Sequence, residues 1–279
     1  MGARRADSPR RRSVMTTIGH IEGSRLAGRV SIVTGGGSGI GEAIGRRFRS
    51  EGAFVVAAGL QPECPAALSK EAEIVWHTCD VTQERDVQDM VDRVLREQGK
   101  VDVLVNAAGV MRIDDVGEIE DDIWSVMLDV NLTGAMRICR AVLPAMRRQR
   151  GGSIVNVASV AAFNASPGMA SYSASKAGLV ALTRSIANRY GEEGVRANCL
   201  CPGWVRTPMS EAEMQAAAHA RGTNIETEFE KAAGRIALRR VARPEEIAAC
   251  AAFLASDDSS FVTGAILVAD GGARRAIAS

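Results

Sequence analysis

From Arg29 onward, short apolar runs alternate with stretches in which apolar residues return every three or four positions. The runs occupy 30–33, 54–58, 74–76, 101–105, 154–157, 195–200 and 265–268, and several are apolar at nearly every position. Continuous runs of this kind suit strands covered on both faces, where a side chain meets protein whichever way it points. The intervening stretches have helical spacing. After Thr82, residues Val87, Met90, Val91, Val94 and Leu95 share one face, while Arg85, Asp92, Arg93 and Glu97 point elsewhere. Thr82 is placed to cap this helix and Gly99 to end it. Pro144 lies near the close of another helical stretch, and Pro244, followed by Glu245 and Glu246, suits the first turn of a later one. Sustained strand–helix alternation predicts an α/β fold: a doubly wound parallel sheet of the Rossmann-like kind, with about seven strands and helices on both faces. Such sheets bind ligands beyond the carboxyl ends of their strands, near the topological switch point.

Composition narrows the class. The chain has 279 residues, 46% hydrophobic and 24% charged, enough for a full core and incompatible with disorder throughout. A single domain over 25–279 is expected, preceded by a tail, 1–24, that carries Arg4, Arg5, Arg10, Arg11 and Arg12 without apolar periodicity. With 34 Lys+Arg against 33 Asp+Glu, the net charge of +1 gives no case for a nucleic acid or an anionic membrane as partner. No apolar stretch approaches the roughly 20 residues of a membrane span. Cys64, Cys79, Cys139, Cys199, Cys201 and Cys250 form no C-x-x-C pair, and His20, His77 and His219 lie far apart. That spacing argues against a metal site and for a reducing, cytoplasmic setting.

Candidate chemistry begins where the first strand meets the first helix, in Thr34-Gly35-Gly36-Gly37-Ser38-Gly39-Ile40-Gly41. Glycines let backbone N–H groups approach a phosphate, and the helix N-terminus adds a favourable partial charge. The spacing is T-G-x-x-x-G-I-G, not G-x-G-x-x-G. The second strand ends in Ala58-Gly59-Leu60-Gln61, without the acid usual in NAD sites, and neither Ser38 nor Leu60 supplies the cation expected for NADP. The choice between the two stays open, with a slight lean to NAD. Asp80 follows the third strand and is either an adenine contact or a turn and cap residue.

Tyr172 and Lys176 are four residues apart and share a helical face. A phenol ordinarily titrates near 10, and a neighbouring ammonium is expected to lower it, making the pair a general acid/base for carbonyl reduction or alcohol oxidation. Ser159, at the end of the strand before it, is placed to hydrogen-bond a reacting oxygen or to cap local backbone. Asn131 sits within a helical stretch, either holding a relay water or bending the helix.

Together, 34–41, Asp80, Asn106-Ala107-Ala108-Gly109, Asn131, Ser159, Tyr172-x-x-x-Lys176 and Pro202-Gly203 resemble the compact branch of the short-chain dehydrogenase/reductase family, over about 28–272. The long-spaced Tyr…Lys pair of enoyl reductases is not seen. The resemblance implies an NAD(P)-dependent oxidoreductase interconverting a secondary alcohol and a ketone. It implies Tyr172 as acid/base, Lys176 tuning it and binding the nicotinamide ribose, Ser159 on the substrate oxygen and Asn131 in a proton relay. Cofactor contacts would come from Gly35, Ser38, Gly39, Ile40, Gly41, Leu60, Asp80, Val81, Asn106, Ala107, Gly109, Pro202, Gly203, Val205 and Thr207. Ala107 replaces the second Asn of the family's usual Asn-Asn-Ala-Gly. The substrate would be a small alcohol or ketone, of the 3-oxoacyl, sugar, steroid or simple alcohol kind, held under a lid at about 204–235. A homotetramer or homodimer is implied as well. The alternative is a catalytically weak cofactor sensor on the same fold.

Overall fold

The computed structural model describes residues 25–66, 68–69 and 74–273; the Arg-rich tail lies outside them. Seven strands form one parallel sheet: β1 (Val30–Thr34), β2 (Phe54–Gly59), β3 (Ile74–Thr78), β4 (Val103–Asn106), β5 (Gly152–Val157), β6 (Val195–Pro202) and β7 (Ile266–Ala269). Their order is β3-β2-β1-β4-β5-β6-β7, so the winding reverses between β1 and β4, as in a doubly wound fold. The helices are α1 (Gly39–Ser50), α2 (Glu84–Gln98), α3 (Asp121–Leu128), α4 (Ala135–Arg148), α5 (Ala170–Tyr190), α6 (Pro208–Arg221), α7 (Ile225–Gly234) and α8 (Pro244–Ala255).

The sheet is apolar because both of its faces are covered. Val33, Val55, Val105 and Val155 pack beneath α1 and α8 through Ile44, Phe48, Ile247 and Ala251. Val30, Ile32, Leu104 and Ile154 point the other way, against Val91 of α2, Ile138 and Val142 of α4 and Ile186 of α5. The apolar strand residues therefore meet apolar partners on either face, which explains why the runs do not alternate. All strands are parallel, so their carboxyl ends, from Gly59 across Thr34, Asn106 and Val157 to Pro202, line one rim.

One local expectation is corrected. Thr82 does not cap α2; Gln83 occupies that position, and Thr82 is held by Asp80, which accepts from its backbone N–H at 2.9 Å and its hydroxyl at 2.8 Å. The Asp80 turn takes up the Thr82 side chain, so the helix starts one turn-residue later. Pro144 lies near the close of α4, four residues before Arg148, as the pattern places it. Gly99 does end α2, in the left-handed conformation at φ 75°. No helix among the described residues is long and apolar enough to cross a membrane.

Candidate active site

The glycine turn is built for close approach. Gly35 has φ +64°, and a Cβ there would lie 2.7 Å from the Ala107 carbonyl oxygen, so the first and fourth strand ends touch through bare backbone. A Cβ at Gly41 would run into the Gly35 carbonyl. Thr34 fastens the same junction, its hydroxyl accepting from the N–H groups of Ala107 and Ala108 at 3.2 Å. Ser38 is the exposed N-cap of α1 and makes no side-chain cap bond, which leaves the helix N-terminus open to a ligand. Ile40 lines the large cavity at the rim, as do Pro202, Gly203, Val205 and Thr207. Leu60 stands 69% exposed at the end of β2, whereas Val81 is buried against Gly134.

Some of the expected contacts are occupied by protein. Asp80 spends one carboxylate oxygen on Thr82. Asn106 is buried at the end of β4, its amide donating to Asn156 Oδ1 at 2.8 Å, and its own Oδ1 has no partner. Thr207 caps α6, accepting from the Ser210 N–H, with its side chain packed against Gly39.

Tyr172 and Lys176 lie on one face of α5, at the carboxyl rim of β5. The Lys176 ammonium donates to the Val157 carbonyl at 3.1 Å and sits 5.6 Å from the centroid of the Tyr172 ring. Burial lowers Lys176 to about 8, so it remains largely a cation at neutral pH. The expectation that this ammonium lowers the phenol is corrected. Burial is the dominant influence and raises Tyr172 above its ordinary value; a hydrogen bond with Ser159 pulls it down, and the Glu213 charge pushes it up. The phenol is thus a protonated acid at neutral pH in the free protein. Ser159 and Tyr172 face the same cavity, of about 640 Å³. Ser159 also accepts from the Ala161 N–H at 3.1 Å, so it caps local backbone while lining this cavity.

Asn131 lies in a π-helical segment, Asp129–Gly134, between α3 and α4. Its Oδ1 accepts from the Val110 N–H at 2.8 Å, and its amide donates to the Val110 carbonyl at 2.9 Å and the Ser175 hydroxyl at 3.1 Å. The side chain clamps the loop after β4 to α5. Gly109 sits where these groups meet: a Cβ there would lie 3.3 Å from Asn131 Oδ1 and 3.5 Å from Lys176 Nζ.

This arrangement joins a dinucleotide-type glycine turn to a tyrosine–lysine pair one helical turn apart on the same rim. A family model described as enoyl-(acyl carrier protein) reductase, of the short-chain dehydrogenase/reductase group, matches residues 35–274. The chain belongs to the short-chain dehydrogenase/reductase family. Like that family, it is an NAD(P)-dependent oxidoreductase acting on CH–OH groups and ketones. It is 38% identical over 253 residues to 3-oxoacyl-(acyl-carrier-protein) reductase FabG of Thermotoga maritima, covering 89% of this chain and 98% of that one. It is 39% identical over 254 residues to 3beta-hydroxysteroid dehydrogenase 2 of Eggerthella lenta, covering 88% and 95%. The ligand-free structure of Thermoplasma acidophilum aldohexose dehydrogenase superimposes with a TM-score of 0.83 at 34% identity, covering 92% of this chain and 98% of that one.

In this short-chain dehydrogenase/reductase, two site residues escaped the sequence reading. Asp114 is buried, and its carboxylate accepts from the Ala170 N–H at 2.6 Å, the Ser171 N–H at 3.1 Å and the Ser171 hydroxyl. It caps α5 from 56 residues away and so aims Tyr172; no local spacing signals it. Glu213 lines the cavity on α6, amid a stripe of Met209, Met214 and Ala217 at helical spacing. A charge inside an apolar lid stripe was the available signal.

Proposed function

We propose that Tyr172 is the proton donor and acceptor of a secondary alcohol–ketone interconversion, with Ser159 holding the reacting oxygen. The observation that carries this is the shared cavity wall: the Tyr172 phenol and the Ser159 hydroxyl face one space, with the Lys176 ammonium behind them. The nicotinamide ring supplies or accepts the hydride when the cofactor is bound. The chain does the rest. Its open α1 N-terminus fits a pyrophosphate, and the bare backbone at Gly35 and Gly41, where a Cβ would strike the Ala107 and Gly35 carbonyls, lets the turn close tightly beside it. In ketone reduction, the protonated phenol gives its proton to the oxygen as negative charge develops there, while Ser159 stabilises that charge. In the reverse direction Tyr172 receives the hydroxyl proton. The Lys176 ammonium stands 5.6 Å from the centroid of the Tyr172 ring and would hold the nicotinamide ribose. The role of Asn131 is to hold Val110 and Ser175 in register, which fixes the helix face carrying Tyr172 and Lys176.

NAD is the favoured cofactor in this reading. The space beside Gly59 is walled by Gln61 Oε1 and the Trp76 ring, 2.9 and 2.8 Å from where a Cβ would stand. An amide oxygen accepts from a ribose hydroxyl and repels a phosphate, and Leu60, Gln61 and Trp76 bring no cation. The cysteines of the described residues are all free, which supports a reducing, cytoplasmic setting. Association into a homodimer or homotetramer is supported by the free edge of β7, the fully exposed Phe261 before it and an apolar groove along α4 and α5.

Relatives named for acyl-carrier-protein thioesters, steroids and aldohexoses leave the substrate open. The direct test is a screen of secondary alcohols and ketones with NAD(H) and NADP(H), followed by nicotinamide absorbance. Turnover with NAD at least about tenfold more efficient than with NADP is expected. No turnover with any pair would defeat the reading, and NADP preference would overturn the assignment of the β2 end.

A further inference from the structure

Two carboxylates line the cavity over Tyr172, and they differ in one respect. Glu228 of α7 is fully engaged by the lid: Lys231 donates at 2.7 Å, the Thr223 hydroxyl at 2.7 Å, and Arg221 of α6 pairs with it as well. These contacts hold Glu228 down at about 2 and staple α6 to α7. Glu213 makes no hydrogen bond or ion pair among the described residues, though it is half-buried on a stripe with Met209 and Ala217, each one helical turn away. Burial alone raises its carboxyl above the usual range, and its charge reaches the Tyr172 phenol. A carboxylate drawn out of water without a partner costs free energy that a neutral side chain would not. In a cavity that must hold substrate, that cost is offset when the substrate brings the donor.

The geometry points to Glu213 as a specificity-determining residue that accepts a hydrogen bond from a second hydroxyl group of the substrate, away from the carbon that reacts at Tyr172. This rests on the alcohol–ketone reading of the same site. The donor is a hydroxyl rather than an ammonium, because the cavity lining carries three cations, Arg221, Lys231 and Arg235, against two carboxylates, Glu213 and Glu228. Arg235 is exposed at the cavity wall and has no side-chain partner among the described residues, so the approach is cationic overall. A neutral polyol-like substrate crosses that field without penalty; a cationic one is repelled. The rest of the wall near Glu213, Met209, Met214 and Trp204, packs the carbon skeleton of such a compound.

The test compares cyclohexanol, 1,2- and 1,3-cyclohexanediol and 2-aminocyclohexanol as substrates with NAD, in the wild type and in Glu213→Gln, Glu213→Ala and Glu213→Asp. The wild type is expected to favour a diol over cyclohexanol by at least about tenfold in kcat/KM, the worth of a hydrogen bond to a charged acceptor. Glu213→Gln and Glu213→Ala should collapse that ratio toward one, with cyclohexanol turnover rising, and Glu213→Asp should retain part of it. Circular dichroism verifies that each variant folds. An unchanged diol ratio in Glu213→Gln overturns the proposal, as does a wild-type preference for the amino alcohol that the same variant abolishes. Ligand-induced melting shifts give a second readout without turnover. If the wild type oxidises nothing, the alcohol–ketone reading fails. The Glu213 contact then stands only if the diols, and not cyclohexanol, raise the melting temperature of the wild type and not of Glu213→Gln.

Discussion

Replacing Lys176 with Met separates what this residue does for stability from what it does for chemistry. The side chain is buried, and its ammonium donates to the Val157 carbonyl at 3.1 Å. Burial takes it from an ordinary 10.5 to about 8. That gap corresponds to about 3 kcal/mol by which the folded state disfavours the charged lysine. Because the folded value is the lower one, the unfolded chain binds more protons between pH 8 and 10.5, so wild-type stability rises across that window. The penalty is fully present below about 8 and is gone above the unfolded value. Methionine fills nearly the same volume without the charge, but it leaves the Val157 carbonyl unpaired, which costs about 1 kcal/mol. Lys176→Met is therefore expected to stabilise the cofactor-free protein at pH 7 by about 2 kcal/mol, near 4–8 °C in melting temperature. The advantage should shrink toward pH 10, while turnover falls by at least about a hundredfold. Urea unfolding at pH 7 and pH 10, beside nicotinamide kinetics, reads both. A variant less stable than wild type at pH 7, or a gap independent of pH, would refute the assignment of a buried, destabilised cation.

Three other expectations follow from single contacts. Asp114→Ala strips three donors at the start of α5 of their acceptor, and should cost about 2–3 kcal/mol in urea unfolding together with activity, because Tyr172 loses its fixed position. Equal stability in this variant would show that the cap contributes nothing. Gly41→Ala places a methyl against the Gly35 carbonyl and should weaken dinucleotide binding at least about tenfold by fluorescence titration, whereas Gly99→Ala, far from the rim, should leave it unaltered and lose only stability. Glu228, held at about 2, supports the lid above its unfolded value near 4.5 and progressively less as pH falls from there to about 2. Glu228→Gln should accordingly raise KM more than it lowers kcat and remove the acid-sensitive part of lid protection in hydrogen exchange.

What the sequence displayed, and what it hid, divide along one physical line. Elements governed by local periodicity were legible: the seven apolar runs, the α2 face ending at Gly99, and the glycine turn at the reversal between β1 and β4 all appear where the pattern places them. The tyrosine–lysine spacing was legible too, since four residues on a helix determine a shared face. Contacts between distant segments were not. Asp114 reaches α5 across 56 residues, and Asn106 meets Asn156 through the sheet, so neither partner is written near its counterpart. The direction of the Tyr172 shift was misjudged for the same reason. Burial depends on everything packed around the phenol, which spacing does not reveal, and it is the largest influence on the shift. The π-helical segment at Asn131 likewise meets distant partners, Val110 and Ser175, that lie outside its own stretch of sequence.

The measurement closest to the central claim is the kinetics of Tyr172→Phe, which deletes one hydroxyl and keeps the ring. On this account the variant binds dinucleotide about as tightly as wild type in a fluorescence titration, yet interconverts alcohol and ketone at least about a thousandfold more slowly at every pH. Turnover within a few-fold of wild type would contradict it, because the proton would then be travelling through some other group.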